Sequence, residues 1–138
     1  MKISVFYEHI EKACEQTKKP LSEVLAYVKA CGIDGVEMDY DELAHDSLDI
    51  LKNLQDAGLL ISSIYGFCHL DIDPEEQKCL DVIDKAAKNG CSRVLLVPGF
   101  FNEADAKIFG ECTDDWEKTV KFMESNQAVQ NITAGLSR

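Results

Sequence analysis

No apolar run in this chain approaches the roughly 20 residues that a helix needs to cross a bilayer, and the N-terminus lacks a signal-peptide pattern. Neither a membrane partner nor a secretory leader is therefore expected. Positive charge is also scarce: 14 lysines and arginines stand against 25 aspartates and glutamates, for a net charge of −11. A phosphate backbone is bound by clustered cations, so a nucleic-acid partner is not expected either. The six cysteines contain no CxxC or similar metal spacing. Cys31, Cys79 and Cys91, at helix ends or in turns leading to strands, read as small hydrophobes, and the whole set as reduced thiols of a cytoplasmic protein. No GxGxxG follows any strand, so the dinucleotide-binding fingerprint is missing. The acidic pair after strand one and the Asp ending strand three, which a phospho-acceptor receiver domain requires, are missing as well.

What is present suits one globular domain: 138 residues, 46% apolar and 28% charged. The stretch Leu60 to Glu76 organises it. A β-branched and aromatic run, Ile61 to Tyr65, reads as a buried strand that Gly66 breaks. Cys68, His69, Asp71 and Asp73 follow within a few residues. Asp73-Pro74-Glu75-Glu76 then carries a helix-start signature, with Asp73 as N-cap, Pro74 at the first helical position and Glu76 closing a capping box. An apolar strand thus delivers titratable groups to its C-terminal end, the edge where parallel α/β folds bind ligands.

The other segments repeat the layout. Ile3 to Tyr7 reads as a strand, with Glu8 and His9 at its end. Ile10 to Lys19 fits either a short helix or a long loop. A helix from Pro20 has Leu21, Val24, Leu25, Val28 and Cys31 on one stripe and Gly32 as its stop. Gly35 to Tyr40 is a second strand, followed by an acidic loop. A helix from about Ser47, with Leu48, Leu51 and Leu54 inward, stops at Gly58. The helix after the third strand turns Leu80, Ile83, Ala86 and Ala87 inward and ends at Gly90. Arg93 to Val97 reads as a fourth strand covered on both sides. A long loop to Cys112 has the length of a functional segment. A last helix, capped by Thr113 or Asp114, bears Trp116, Val120 and Met123, and extends toward Val129, Ile132 and Leu136.

Four β-α repeats of this length imply parallel strands with right-handed crossovers. A complete (β/α)8 barrel needs about 250 residues. The expected fold is therefore α/β, a (βα)4 half of a TIM barrel over residues 1–138 with no internal linker.

Four features together, the start KISVF, the unit CGIDGVEMDY, the third strand ISSIYGFCHLD ending in His69, and NGCSRVLLVPG, resemble the N-terminal half of xylose isomerase-like TIM barrels. That is the sugar-phosphate isomerase/epimerase superfamily, which also includes endonuclease IV. The resemblance implies metal-assisted proton transfer through an enediolate, on a sugar or sugar phosphate. It also implies that the divalent cation (Mn, Mg, Zn or Co) is held by strands five to eight of a complete barrel. This half would supply the substrate-facing wall and bind no metal alone. In the endonuclease branch the corresponding histidine binds zinc, and another histidine follows strand four. Pro98-Gly99 stands there instead.

The candidate site residues are His69 and Glu37 as catalytic groups, with Tyr7, Tyr65 and His69 as substrate contacts. His69 either donates to a sugar hydroxyl or satisfies loop carbonyls. Glu37 either lines the site or forms an ion pair with Arg93 or a lysine. The two tyrosines either contact substrate or pack in the interior. His9, His45 and the acidic series Asp39, Asp41, Glu42, Asp46 and Asp49 read as solvated. The alternative to an enzyme half is a non-catalytic assembly module. In both cases the open edges of a half-barrel predict a partner, either a second copy or a separate C-terminal half.

Overall fold

The computed structural model describes residues 3–45 and 47–137. Asp46 of the acidic series and Lys2 of the opening motif lie outside the described residues, as does the side chain of His45. Twelve elements follow one another: β1 (Ser4–Phe6), α1 (Tyr7–Thr17), α2 (Leu21–Ala30), β2 (Gly35–Asp39), α3 (Tyr40–His45), α4 (Ser47–Asp56), β3 (Leu60–Phe67), α5 (Lys78–Lys88), β4 (Val94–Val97), α6 (Glu103–Cys112), α7 (Trp116–Ser125) and α8 (Gln127–Leu136). No helix among the described residues is long and apolar enough to cross a membrane.

The four strands form one parallel sheet in the order β1-β2-β3-β4. Ser4 pairs with Gly35 and Phe6 with Glu37; Val36 pairs with Ile61, and an irregularity then sets Glu37 opposite Ser63. On the far side of β3, Ile64 N donates to Arg93 O and Cys68 N to Val97 O. Both partners advance by the same step, as parallel strands require. The sheet and the alternating helices bear out the α/β reading. Gly32, Gly58 and Gly90 all adopt positive φ (83°, 68° and 66°), the left-handed conformation that ends a helix without a Cβ penalty.

The chain divides into two compact units, Met1–Gly66 with Leu80–Leu95, and Phe67–Cys79 with Leu96–Arg138. The first buries Ile10, Leu25, Val36, Met38, Leu43, Leu54, Ile64 and Val82 almost completely. The second has a smaller cluster of Cys68, Leu70 and Cys79, with Leu96 and Ile132 packed on it.

Several expectations are corrected. β1 ends at Phe6, because Tyr7 begins α1 and is buried together with Ile10 one helical turn on. The segment open between helix and loop is thus a helix, stopped at Lys18 with φ 58°. The acidic loop is α3, anchored by the buried Leu43. Gly66 does not break β3; it lies buried within it, where a Cβ would come within 2.6 Å of Val82 Cγ2. The glycine therefore lets α5 approach the sheet. β4 is not covered on both sides, since Val94 and Leu95 are exposed. The long loop to Cys112 holds α6, whose N-cap Asn102 accepts from Asp105 N at 2.9 Å. The last helix is two, α7 capped by Asp115 and α8 by Asn126. Cys79 and Cys91 are buried as expected, whereas Cys31 is exposed at the end of α2.

Candidate functional site

His69 lies just beyond β3, and the loop around it is built by backbone bonds. Its carbonyl accepts from Ile72 N (2.9 Å) and Asp73 N (2.8 Å), which folds the chain back in a tight turn. Its own N–H donates to the Glu76 carboxylate. Leu70 N donates to Pro98 O at 2.9 Å, so the loop is held to the turn after β4. The imidazole is left 57% exposed. Among the described residues the ring satisfies no loop carbonyl.

Asp71 sits beside it. Its Oδ1 is buried without a hydrogen-bond donor and lies 3.9 Å from His69 Nδ1, too far for a hydrogen bond but close enough for a charge interaction with an imidazolium. The carboxyl is packed against Gly99, where a Cβ would fall 2.5 Å from Oδ1. The main-chain carbonyl of Asp71 is held by Asn131 Nδ2 at 2.8 Å. Aromatic rings complete the surround: Phe100 stacks with Phe67 at 6.1 Å and tilts against the His69 ring at 6.0 Å. His69, Asp71, Ile72, Phe100, Asn102 and Asp105 line a cavity of about 470 Å³. A cavity with one titratable ring, an aromatic wall and a few polar groups has the character of a small-molecule site. Chemically it offers a flat apolar face, hydrogen-bond donors and acceptors, and one imidazole able to take or give a proton.

Glu37, Tyr7 and Tyr65 belong to the first unit. Glu37 is half-buried and faces hydroxyls: Ser4 Oγ donates to Oε1 at 2.7 Å, and Ser63 Oγ to Oε2 at 3.1 Å. Two serines on the neighbouring strands thus hold the carboxylate, rather than the Arg93 or lysine that one of the two alternatives for Glu37 named. Tyr7 is 3% exposed at the start of α1. Tyr65 is buried on β3, edge-on to Phe6 at 5.5 Å. Burial, and then repulsion from Glu11 and Glu42, pushes the Tyr7 phenol up to about 12. Burial followed by Asp39, Glu42, Glu8 and Glu37 does the same to Tyr65, also to about 12. Glu42 is raised as well, by burial first and then by Glu11, Asp39 and Glu8, and its Oε2 is buried without a hydrogen-bond donor.

Sequence reasoning singled out His69 but missed Phe100, Asn102 and Asp105. Two adjacent aromatics just after a strand, followed by an Asn cap, were a readable signal at a ligand-binding edge. Among the described residues no group of three or more His, Cys, Asp or Glu side chains is disposed to hold a metal ion. The chain matches no protein-family model, no curated protein and no solved structure.

Proposed function

We propose that this chain is the N-terminal half of a sugar or sugar-phosphate isomerase or epimerase, and that its share of the work is to bind the sugar at the His69 cavity. The observation that carries the reading is His69 itself, exposed at the C-terminal end of a parallel strand, backed by an unsatisfied Asp71 oxygen and flanked by the Phe100 ring. A sugar presents an apolar C–H face and a rim of hydroxyls, which suits an aromatic wall beside polar groups. In the superfamily resembled, proton transfer between adjacent carbons runs through an enediolate with a divalent cation. This chain's own contribution is confined to binding, orientation and a proton or hydrogen bond at the imidazole.

The test is titration of the chain with D-xylose, D-fructose and fructose 6-phosphate, followed by NMR of the His69 and Phe100 rings. Saturable shifts of both rings by one of these ligands are expected, with His69→Ala weakening that binding by about tenfold, on the order of 1.4 kcal/mol. Shifts absent from both rings at high ligand concentration would overturn the reading.

A second reading, a non-catalytic assembly module, is favoured by one specific observation. Leu80 and Ile83 of α5 and Val94 and Leu95 of β4 are all exposed in the first unit. An apolar helix face and an edge strand left in water invite another chain. This reading requires a second copy or a separate half-barrel partner and no ligand at His69.

A further inference from the structure

Cys68 and Cys79 bracket the His69 loop: the first follows β3 directly, and the second is in the first turn of α5. Both are buried in one cluster with Leu70, against which Leu96 and Ile132 pack. Both are free thiols that share this one buried cluster. Two buried thiols in one small cluster lie near one another, and the stretch of chain that a bond between them would close is short.

We propose that Cys68 and Cys79 are a disulfide-forming pair that staples the loop carrying His69. The step uses a hydroperoxide as two-electron oxidant. One sulfur attacks a peroxide oxygen as its thiolate and the O–O bond breaks, giving a sulfenic acid and, from hydrogen peroxide, water. The second thiol then displaces the hydroxyl as another water and forms the S–S bond. Two thiols and one hydrogen peroxide thus give one disulfide and two waters.

The same burial sets the pace. Desolvation, and then the neighbouring Cys79 side chain, pushes the Cys68 thiol up to about 12, so it rests protonated and unreactive while the loop is closed. Reaction belongs to moments when the loop opens, and the bond from His69 N to Glu76 opposes that opening. Once formed, the disulfide restricts further opening by removing conformations from the open chain.

The experiment exposes the full chain to hydrogen peroxide under native conditions, blocks remaining thiols by alkylation, and maps the peptides. Expected are the loss of two of the six free thiols, one cross-linked peptide joining Cys68 to Cys79, and slower hydrogen exchange of the amides between them. Cys79→Ala should abolish that cross-link, and the wild-type map stands without it if the variant fails to fold. Three results would overturn the proposal: first cross-links joining other cysteines, over-oxidation of Cys68 or Cys79 without an S–S bond, or unchanged exchange in the loop after oxidation.

Discussion

Gly66 shows how one missing methyl sets a packing distance. A Cβ there would meet Val82 Cγ2 at 2.6 Å, and Val82 is itself completely buried. Gly66→Ala should therefore cost about 1–3 kcal/mol through overpacking. The double variant with Val82→Ala should recover part of that loss, because the added methyl enters the space the valine leaves. Urea denaturation of both single variants and the pair measures the coupling. Glu42 carries the opposite kind of strain. Its raised carboxyl means that the folded state binds the proton more tightly than the unfolded chain does. Stability is therefore fully present below the ordinary glutamate range and declines as pH rises through the raised value. Glu42→Gln should raise the melting temperature at neutral pH, and the gain should vanish in acid, where Glu42 is already neutral. The two buried tyrosines act at the other end of the scale. With folded values of about 12 against an ordinary 10, their stabilisation holds below pH 10 and is lost as pH climbs toward 12. Tyrosinate absorbance should show two late-titrating rings, one removed by Tyr7→Phe and the other by Tyr65→Phe.

Among the elements, α5 separates what sequence can say from what it cannot. Two apolar stripes lie side by side on it, Leu80-Ile83-Ala87 and Cys79-Val82-Ala86, each at helical spacing. The structure buries the second and leaves Leu80 and Ile83 each 46% exposed. Spacing alone identifies a helix but not which of two adjacent stripes meets the sheet. The notch at Gly66 decides that, by accepting Val82. Val82→Ala should accordingly cost about 2 kcal/mol, while Leu80→Ser should stay within about 0.5 kcal/mol in chemical denaturation of the isolated chain.

The helix-start signature at Asp73 misleads for a related reason. Asp73 Oδ1 does accept a nearby amide, that of Glu75 at 2.9 Å, yet the helix begins only at Lys78. Glu76 has turned away to hold His69, so the polar groups of a cap are spent on a loop. At Asn126 the signal is genuine: its Oδ1 accepts from Val129 N at 3.2 Å while its own N–H closes α7 on Phe122 O at 2.9 Å. The three glycine stops were legible because they answer to local chain geometry. The exposure of Val94 and Leu95 was not, because a hydrophobic run does not disclose how many of its faces are covered.

At the scale of the whole molecule, the sheet of the described residues has two terminal strands, β1 and β4, each with one neighbour among them. If the exposed Val94 and Leu95 mark a docking edge, light scattering should find a species larger than one 15.4 kDa chain. Leu95→Lys, a charge placed on that edge, should shift it toward the monomer. A monodisperse single chain in the unsubstituted protein would remove the assembly reading. His69 binding would be untouched by that result, since it is measured on a different unit.

The strand order has a further consequence, in time. Each strand after the first adds to the edge left by the one synthesised just before it, so no strand waits for a partner still unmade. The first pair can form once β2 has left the ribosome, with Ser4 already able to capture Glu37. A chain built this way grows its sheet in the direction of translation and seldom leaves an early strand exposed to the wrong neighbour. Nascent chains stalled once α4 has emerged should already protect the β1 and β2 amides from exchange, before β3 has left the ribosome.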